Sequence, residues 1–340
     1  MLSVRKNFPA FVTGASGFIG GKIAERLLAD GRKVRVLSRR PLPELEAKGA
    51  EVILGDLHDI HALERGCLSA DSVFHVAGRV GVWGPRQEFF RVNVEGTRNL
   101  LDAARRAHVP RLIYTSSPSV VYNGGDLRNV NESAPLCVHA PCAYPTSKAA
   151  AEHAVLQAHG RDFCTIALRP HLVWGPGDRN VVPRVIALAK SGKLKIVGEG
   201  KNQVDLTHIT NVVDAHLLAE GALVQPNSPA GGKAYFISNG EPVLLWEWIN
   251  QVLRGLGVPP VTKHVPLPLA YAAGGMLEAW WRVTGREDEP PMTRFVAKEL
   301  ATDHYFNISA ARRDLAFHPL MTMAEGTAEL VAHYKAGNAY

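Results

Sequence analysis

The sequence predicts a doubly wound α/β fold, in which a parallel sheet is covered by helices on both faces, followed by a smaller C-terminal lobe. The first observation is a set of short apolar runs without polar alternation, at 8–13, 34–37, 52–54, 72–75, 111–116 and 163–169. Such runs are typical of strands that are buried on both faces. The second observation is helical periodicity between the runs, which predicts helices near 18–30, 88–108 and 144–159. Strands that alternate with helices favour a parallel sheet.

The third observation is a change of pattern in the second half of the chain. The first domain is expected to span residues 1–174, and segment 203–238 is expected to return to its sheet. The smaller lobe should comprise mainly 175–202 and 239–340, where Pro and Gly are frequent, and a basic helix is predicted at 182–192. No repeat, low-complexity tract or run of eighteen apolar residues occurs, so a membrane-spanning helix is not expected.

Composition and charge are those of an ordinary globular protein. The chain has 340 residues, 46% of them apolar, which is enough to bury a large core. The formal charge is +6, but the basic residues are scattered, so no nucleic-acid-binding surface is expected. Cys137, His139 and Cys142 lack a fourth ligand and the usual close spacing, so no metal site is expected. The cysteines do not form a paired framework, which favours a reducing, cytoplasmic location; they are Cys67, Cys137, Cys142 and Cys164.

Three glycines spaced three residues apart follow the first predicted strand, in TGASGFIGG. Gly14 permits the tight turn, Gly17 lets the backbone approach a pyrophosphate, and Gly20 allows the helix to pack closely on the sheet. The N-terminus of that helix would face the phosphates. A purely structural glycine-rich turn is the alternative, but it does not account for the strand before and the helix after. The pattern therefore predicts a Rossmann-type dinucleotide site.

The end of the second predicted strand, VRVLSRRP, bears on the choice of cofactor. An NAD-preferring site usually places an acidic residue here to bind the adenosine ribose, and none is present. Ser38 can donate a hydrogen bond, and Arg39 or Arg40 can bind a 2′-phosphate with several donors. We therefore expect NADP(H) to be preferred, with NAD(H) as the alternative. The arginines could instead be solvated surface charges.

Two further strand ends add candidate cofactor residues. Asp56 and Leu57, in GDLHD, follow the third predicted strand, within reach of an adenine. Ala77 and Gly78, in HVAG, follow the fourth strand, where small residues leave room for a dinucleotide.

The stretch CAYPTSKAAAEH places Tyr144 four residues before Lys148 at the predicted beginning of a helix. Side chains four apart share a helix face, and Pro145 suits the first turn. A nearby ammonium favours phenolate and lowers the pKa of a tyrosine toward the range of general acid/base catalysis. The alternative is a pair of neighbouring surface residues without a chemical role.

Six motifs, in this order, resemble the extended short-chain dehydrogenase/reductase family: TGASGFIG, GDL, NVEGTRNLLDAA, RLIYTSS, YPTSK and LRPHLVWGPG. The resemblance covers nearly the whole chain. The segments LIYTSSPSV, FISNGEP and TRFVAKELATDHYFNISAARRDL are similar to the branch that contains 3β-hydroxysteroid and sterol-carboxylate dehydrogenases. More narrowly, the chain resembles bacterial NADPH-dependent reductases of 2-alkyl-3-oxoalkanoates.

The resemblance implies roles for individual residues. Tyr144 would exchange a proton with the substrate oxygen, while Lys148 lowers its pKa and holds the nicotinamide ribose. Ser117 would hydrogen-bond the same oxygen, with the adjacent Ser116 as the alternative. Hydride would pass directly between the nicotinamide and the carbon, without a metal. The family also implies a homodimer and a cofactor site that includes Ser16, Phe18, Ile19 and Pro170.

The less regular segments are expected to select the substrate. They offer Val82, Trp83, His171 and Trp174 to a pocket wall. The segment LPLAYAAGGMLEAWWRVTG is rich in apolar residues at helical spacing, which predicts core packing, an apolar lid, or a peripheral contact with a membrane or a partner enzyme.

The expected function is reversible ketone reduction on a hydrophobic small molecule, with 2-alkyl-3-oxoalkanoate to 2-alkyl-3-hydroxyalkanoate as the first candidate. A 3β-hydroxysteroid or sterol-carboxylate dehydrogenase is the alternative, and so is a nucleotide-sugar epimerase or dehydratase, for which Arg184 and Lys190 could bind phosphate. A non-enzymatic dinucleotide sensor is a further alternative.

Overall fold

The computed structural model describes residues 8–179, 181–225 and 228–337. In chain order the strands are β1 (Ala10–Thr13), β2 (Val34–Ser38), β3 (Glu51–Leu54), β4 (Ser72–His75), β5 (Arg111–Thr115), β6 (Leu127–Val130), β7 (Cys164–Pro170), β8 (Val173–Trp174), β9 (Ile196–Val197), β10 (Gln203–Val204), β11 (Thr207–His208), β12 (Ala234–Ile237), β13 (Val243–Leu244), β14 (His264–Val265) and β15 (His304–Phe306).

The helices are α1 (Phe18–Ala29), α2 (Pro43–Ala47), α3 (Ile60–Cys67), α4 (Arg86–Phe90), α5 (Gly96–Arg106), α6 (Ala143–Gln157), α7 (Val182–Lys190), α8 (Ile209–Ala222), α9 (Leu245–Gly255), α10 (Leu267–Val283), α11 (Arg294–Glu299), α12 (Ser309–Leu315) and α13 (Met323–Lys335). A π-helical segment, Arg91–Glu95, joins α4 to α5, and a 3₁₀ turn, Pro118–Val121, follows β5.

Seven parallel strands form the main sheet, in the order β12-β7-β5-β4-β1-β2-β3. The predicted doubly wound fold is confirmed, and the six predicted strands begin and end within two residues of the observed ones. The seventh strand, β12, lies in the segment that was expected to return to the sheet. The domain boundaries themselves remain a prediction.

Burial on both faces explains the apolar runs. Every residue of β1, β4 and β5 is buried. Helices α1, α8 and α12 cover one face, and α3, α5 and α6 cover the other. A strand covered on both sides has no polar face, and its sequence therefore lacks alternation.

The strand order reverses between β1 and β4, and this opens a crevice at their carboxyl ends. Thr13 pairs in register with His75, and His75 with Tyr114. The buried His75 ring is held between the hydroxyls of Thr13 and Thr97, at 2.8 Å from each. Burial lowers the pKa of His75 to about 3, with Lys148 as a smaller cause, so the ring is neutral at pH 7.

The C-terminal lobe has its own core. Its four-stranded sheet has the order β13-β10-β15-β6, and α7, α9, α10 and α13 contribute to a separate apolar cluster. Helix α12 packs instead on α8 and β12, so the end of the chain contacts both parts of the molecule. No helix in the described ranges is long and apolar enough to cross a membrane.

The predicted helix 88–108 is interrupted. The π-helical segment occupies Arg91–Glu95 and places the buried Asn93 on the inner side. Single π turns inside helices are frequent at functional sites, and this one lies beside the crevice.

Gly20→Ala should destabilise the fold. A Cβ at this position would overlap the carbonyl oxygen of Gly14, a backbone atom that cannot move without opening the turn. We expect a loss of about 3 kcal/mol in the free energy of unfolding, at the upper end of overpacking effects. Urea denaturation measures it. The control is Gly221→Ala in α8, where no atom lies within 4 Å and stability should be unchanged or slightly raised. Equal stability of the two variants would contradict the prediction.

Candidate active site

Tyr144 and Lys148 lie one turn apart at the beginning of α6, and both line a cavity at the carboxyl edge of the main sheet. The helix begins at Ala143 and has Pro145 in its first turn, where the missing backbone N–H removes no helical hydrogen bond. Ser117 follows β5 and lines the same cavity, whose volume is about 770 Å³. The structure therefore brings the three predicted catalytic residues together. We call this space the main cavity.

Lys148 is buried below the main cavity. Its Nζ donates to the Thr115 carbonyl oxygen at 2.6 Å and lies 4.2 Å from the centroid of the Tyr114 ring. Burial lowers the pKa of Lys148 to about 7, although the Glu152 carboxylate opposes the shift. Glu152 is itself held by the buried Arg169, at 2.6 and 2.9 Å. The amine is therefore poised between its two protonation states near neutral pH.

The pKa of Tyr144 is raised, which corrects the expectation that Lys148 lowers it. Burial raises the pKa of the phenol above its usual value, and a hydrogen bond with the Ser117 side chain partly opposes this. Lys148 does not lower the pKa of the phenol because burial brings its own pKa to about 7, so the amine is neutral at the pH where Tyr144 loses its proton. Tyr144 is therefore a protonated phenol in this state.

The two candidate serines differ in their surroundings. The Ser117 Oγ accepts a hydrogen bond from the Ser119 backbone N–H at 3.2 Å, which caps the 3₁₀ turn, and it also interacts with Tyr144. The Ser116 hydroxyl is buried and has no hydrogen-bond partner within the described part of the chain. Both line the main cavity. The contact with Tyr144 favours Ser117.

The glycine-rich turn fits a dinucleotide. Gly14 has φ +75°, and a Cβ there would lie 2.6 Å from the Ala77 nitrogen, so the turn packs directly on the backbone that follows β4. Gly17 begins α1 without a side-chain cap, which leaves backbone N–H groups of the first turn free to bind a phosphate. A Cβ on Gly78 would lie 3.1 Å from Asn93 Oδ1 and 3.9 Å from Lys148 Nζ. Gly78 therefore leaves little room for a side chain beside Asn93.

A groove of about 350 Å³ lies along the glycine-rich turn, on the side where the adenosine half of a dinucleotide would bind. Ser16, Phe18 and Arg40 line it together with Lys22. The Ser38 Oγ accepts a hydrogen bond from the Arg40 backbone N–H at 3.2 Å.

The remaining predicted cofactor residues lie around the groove and the main cavity. Arg39 is exposed beside the groove. Ile19, Gly78 and Pro170 line the main cavity. Asp56 is exposed, and its carboxylate accepts from the His58 backbone N–H at 2.7 Å. Leu57 is buried, and its side chain packs against Gly96.

Residues 11–269 match the sequence model of the 3-beta hydroxysteroid dehydrogenase/isomerase family. The chain belongs to that family. It is an NAD(P)-dependent dehydrogenase/reductase of the extended short-chain dehydrogenase/reductase type, as the motifs predicted.

Two curated members of the family illustrate the range of substrates. The 2-alkyl-3-oxoalkanoate reductase of Shewanella oneidensis is 44% identical over 95% of this chain and 85% of its own length. The sterol-4-alpha-carboxylate 3-dehydrogenase, decarboxylating, of Bos taurus is 34% identical over 95% of this chain and 91% of its own. The solved structure of MoeE5 in complex with UDP-glucose and NAD is 26% identical, covers 97% of this chain and 99% of that one, and has a TM-score of 0.74. A nicotinamide dinucleotide cofactor is therefore supported for this family member.

The four predicted substrate residues separate in space. Val82 and His171 line the main cavity, whereas Trp83 lines a neighbouring one. Trp174 was expected at a pocket wall but does not lie there. It is fully buried in the core of the C-terminal lobe, where its ring packs edge-on against His208 and Trp248. It follows Val173 in β8, whose alternate side chains point in opposite directions, and Val173 is the residue that lines the main cavity.

Two residues near the candidate catalytic residues were missed from the sequence. Asn93 Oδ1 accepts from the Arg79 backbone N–H at 2.7 Å, and its Nδ2 donates to Ser147 Oγ at 3.0 Å, so it ties the loop after β4 to α6. The sequence did contain a signal for Asn93, because it is a polar residue on the buried face of the predicted helix 88–108. His304 has its Nδ1 2.6 Å from His171 Nε2. No local pattern reveals a partner 133 residues away.

The predicted absence of a metal site concerned Cys137, His139 and Cys142. Cys137 Sγ donates to the His139 carbonyl oxygen at 3.1 Å. Across the described ranges, no group of three or more His, Cys, Asp or Glu side chains is arranged to hold a metal ion.

Ser117→Ala and Ser116→Ala should have unequal effects. Removing the Ser117 hydroxyl deletes the hydrogen bond to Tyr144 and one donor toward the substrate oxygen, and we expect turnover to fall about 10²- to 10³-fold with cofactor affinity unchanged. Ser116→Ala should change turnover less than about threefold, because its hydroxyl contacts no described polar group. Steady-state kinetics and cofactor fluorescence measure the two quantities. A larger loss in Ser116→Ala would assign the role to Ser116.

Proposed function

We propose that the chain is an NADPH-dependent ketoreductase that converts a 2-alkyl-3-oxoalkanoate into the 2-alkyl-3-hydroxyalkanoate. The observation that carries the proposal is the main cavity, in which Ser117 and Tyr144 face an apolar and aromatic wall. That wall includes Tyr122, Leu127, Leu172, Val173, Phe295 and Phe306. Charged side chains line the rest of the cavity, among them Glu289, Glu299 and Arg184, the residue that a nucleotide-sugar enzyme could use to bind phosphate. Relatives in Shewanella oneidensis and Stenotrophomonas maltophilia, 44% and 40% identical to this chain, are both named 2-alkyl-3-oxoalkanoate reductase, and this supports the substrate class.

The protonation states suit a reduction. NADPH supplies the hydride that the carbonyl carbon accepts. The Tyr144 phenol, protonated at neutral pH because burial raises its pKa, donates the proton that the carbonyl oxygen gains. Ser117 holds that oxygen and stabilises its developing charge. Lys148 would hold the nicotinamide ribose and can replace the proton on Tyr144, because burial brings the pKa of Lys148 to about 7.

The preference for NADPH is supported by the end of β2. Arg40 lines the adenosine groove beside Lys22, and Arg39 is exposed next to it. A dianionic 2′-phosphate would be bound by these cations, whereas the groove offers no acidic residue from β2 to the ribose hydroxyls.

A sterol-carboxylate dehydrogenase is the second candidate. The relative of that name in Bos taurus is 34% identical along 95% of this chain. A cavity of about 770 Å³ lies within the range that binds a ligand of steroid size.

A homodimer, a cytoplasmic location and a peripheral contact remain predictions. The exposed apolar side chains of α10 support the last of them; they are Leu269, Met276, Trp280 and Val283.

Arg40→Ala should weaken NADPH binding about ten- to a hundredfold and leave NADH binding nearly unchanged. The reason is the loss of a charge-assisted contact with the 2′-phosphate, worth about 1.5 to 3 kcal/mol. Arg39→Ala should act in the same direction. Fluorescence titration with both cofactors measures the effect, and Arg26→Ala, which removes an exposed arginine paired with Asp30, is the matched control. Equal losses for NADPH and NADH would refute the assignment.

A substrate panel tests the function itself. With NADPH, kcat/KM should rise about fourfold for each methylene added to a 2-alkyl-3-oxoalkanoate, until the cavity is full. Tyr144→Phe should abolish turnover without preventing NADPH binding. A preference for a 3β-hydroxysteroid or a sterol carboxylate with NAD would move the assignment to the second candidate. A preference for a UDP-sugar would contradict the hydrophobic pocket.

A further inference from the structure

A second cavity, of about 540 Å³, lies directly beside the main cavity. The two spaces share Val82 and Phe295 in their walls. The second cavity also touches Cys142 and Ala143, the two residues that precede the catalytic Tyr144. The reacting centre is therefore adjacent to both spaces.

The buried carboxylate on the wall of the second cavity is neutralised. Glu278 accepts hydrogen bonds from the backbone N–H of Arg294 at 2.8 Å and from its guanidinium at 2.7 and 2.9 Å. The Arg282 guanidinium lies 3.6 Å away and also sits over the Trp83 ring, at 5.3 Å from its centroid. A carboxylate held by two arginines does not require a cationic ligand.

Arg286 and Trp83, two of the remaining polar residues of this wall, have partners as well. Arg286 lies over the Trp281 ring at 4.2 Å and pairs with Asp288 at 3.0 Å. The Trp83 Nε1 donates to the Arg286 carbonyl oxygen at 3.1 Å. The part of the wall that suits an alkyl chain consists of aromatic rings and small apolar groups, among them Ala140 and Pro141, and Arg86 and Glu287 also line the cavity.

We propose that the second cavity binds the 2-alkyl chain of the substrate while the main cavity binds its 3-oxoacyl chain. This inference rests on the proposed function, because it requires a substrate with two chains. In a 2-alkyl-3-oxoalkanoate the two chains leave from adjacent carbons, C2 and C3. The two cavities likewise diverge at Val82 and Phe295, next to Tyr144. A single-chain substrate would leave the second cavity without an occupant.

The test uses two substrate series with NADPH. One series lengthens the 2-alkyl chain at a fixed acyl chain, and the other lengthens the acyl chain at a fixed 2-methyl group. Ala140→Phe should fill the second cavity, flatten the 2-alkyl series from about fourfold per methylene to less than twofold, and change the acyl series less than threefold. Val173→Phe, on the wall of the main cavity, is the matched control and should show the reverse.

A second variant keeps the inference testable if Ala140→Phe fails to fold. Trp83→Ala enlarges the second cavity and should shift the best 2-alkyl length upward without shifting the best acyl length. Equal effects of Ala140→Phe and Val173→Phe on both series, or a 2-alkyl optimum that Trp83→Ala leaves in place, would overturn the inference and leave the proposed function standing. If Arg286→Gln weakens all substrates equally, whatever their chain length, the second cavity binds an anion and the inference is wrong. Failure of the wild type to reduce any member of either series would instead overturn the proposed function.

Discussion

The burial of the Lys148 amine is the constraint around which the site is arranged. The amine lies under the carboxyl edge of the sheet, where the Thr115 carbonyl oxygen accepts a hydrogen bond from it and the Tyr114 ring covers it. A Cβ at Gly78 would crowd Asn93 and come into contact with Lys148. The end of β5 meets α6 at this amine, and Asn93 ties the π-helical segment to the neighbouring Ser147 of α6.

This burial has an energetic cost that depends on pH. An unfolded lysine has a pKa of about 10.5, whereas burial lowers the pKa of folded Lys148 to about 7. Between these values the unfolded chain binds more protons, so the free energy of unfolding contributed by Lys148 falls as the pH falls from 10.5 to 7. In the proposed mechanism, the same shift lets Lys148 return a proton to Tyr144 at neutral pH. The buried amine thus lowers the stability of the fold and serves the proposed proton transfer, a trade-off that is common at active sites.

Local patterns predicted the sheet, the glycine-rich turn and the spacing of Tyr144 and Lys148, because each depends on neighbours within one element. The features that the sequence predicted wrongly or missed depend on contacts between residues that are distant in the sequence. Trp174 has the composition of a pocket residue, yet packing against His208 and Trp248 buries it. The pKa of Tyr144 was expected to fall, since spacing indicates that an amine is near but not that the amine is itself desolvated. The second cavity combines segments some 200 residues apart, as the Trp83 to Arg286 hydrogen bond shows.

The most direct test of this account is the titration of Lys148 itself. Carbon-13 NMR of lysines labelled at Cε, with the Lys148 signal assigned by its absence from Lys148→Met, follows the protonation of the amine in the cofactor-free enzyme. The account predicts a midpoint near pH 7, well below the value of about 10.5 for an unfolded lysine. A Lys148 signal that titrates at pH 10 or above would show that the amine stays fully charged in the folded protein, and it would contradict the account.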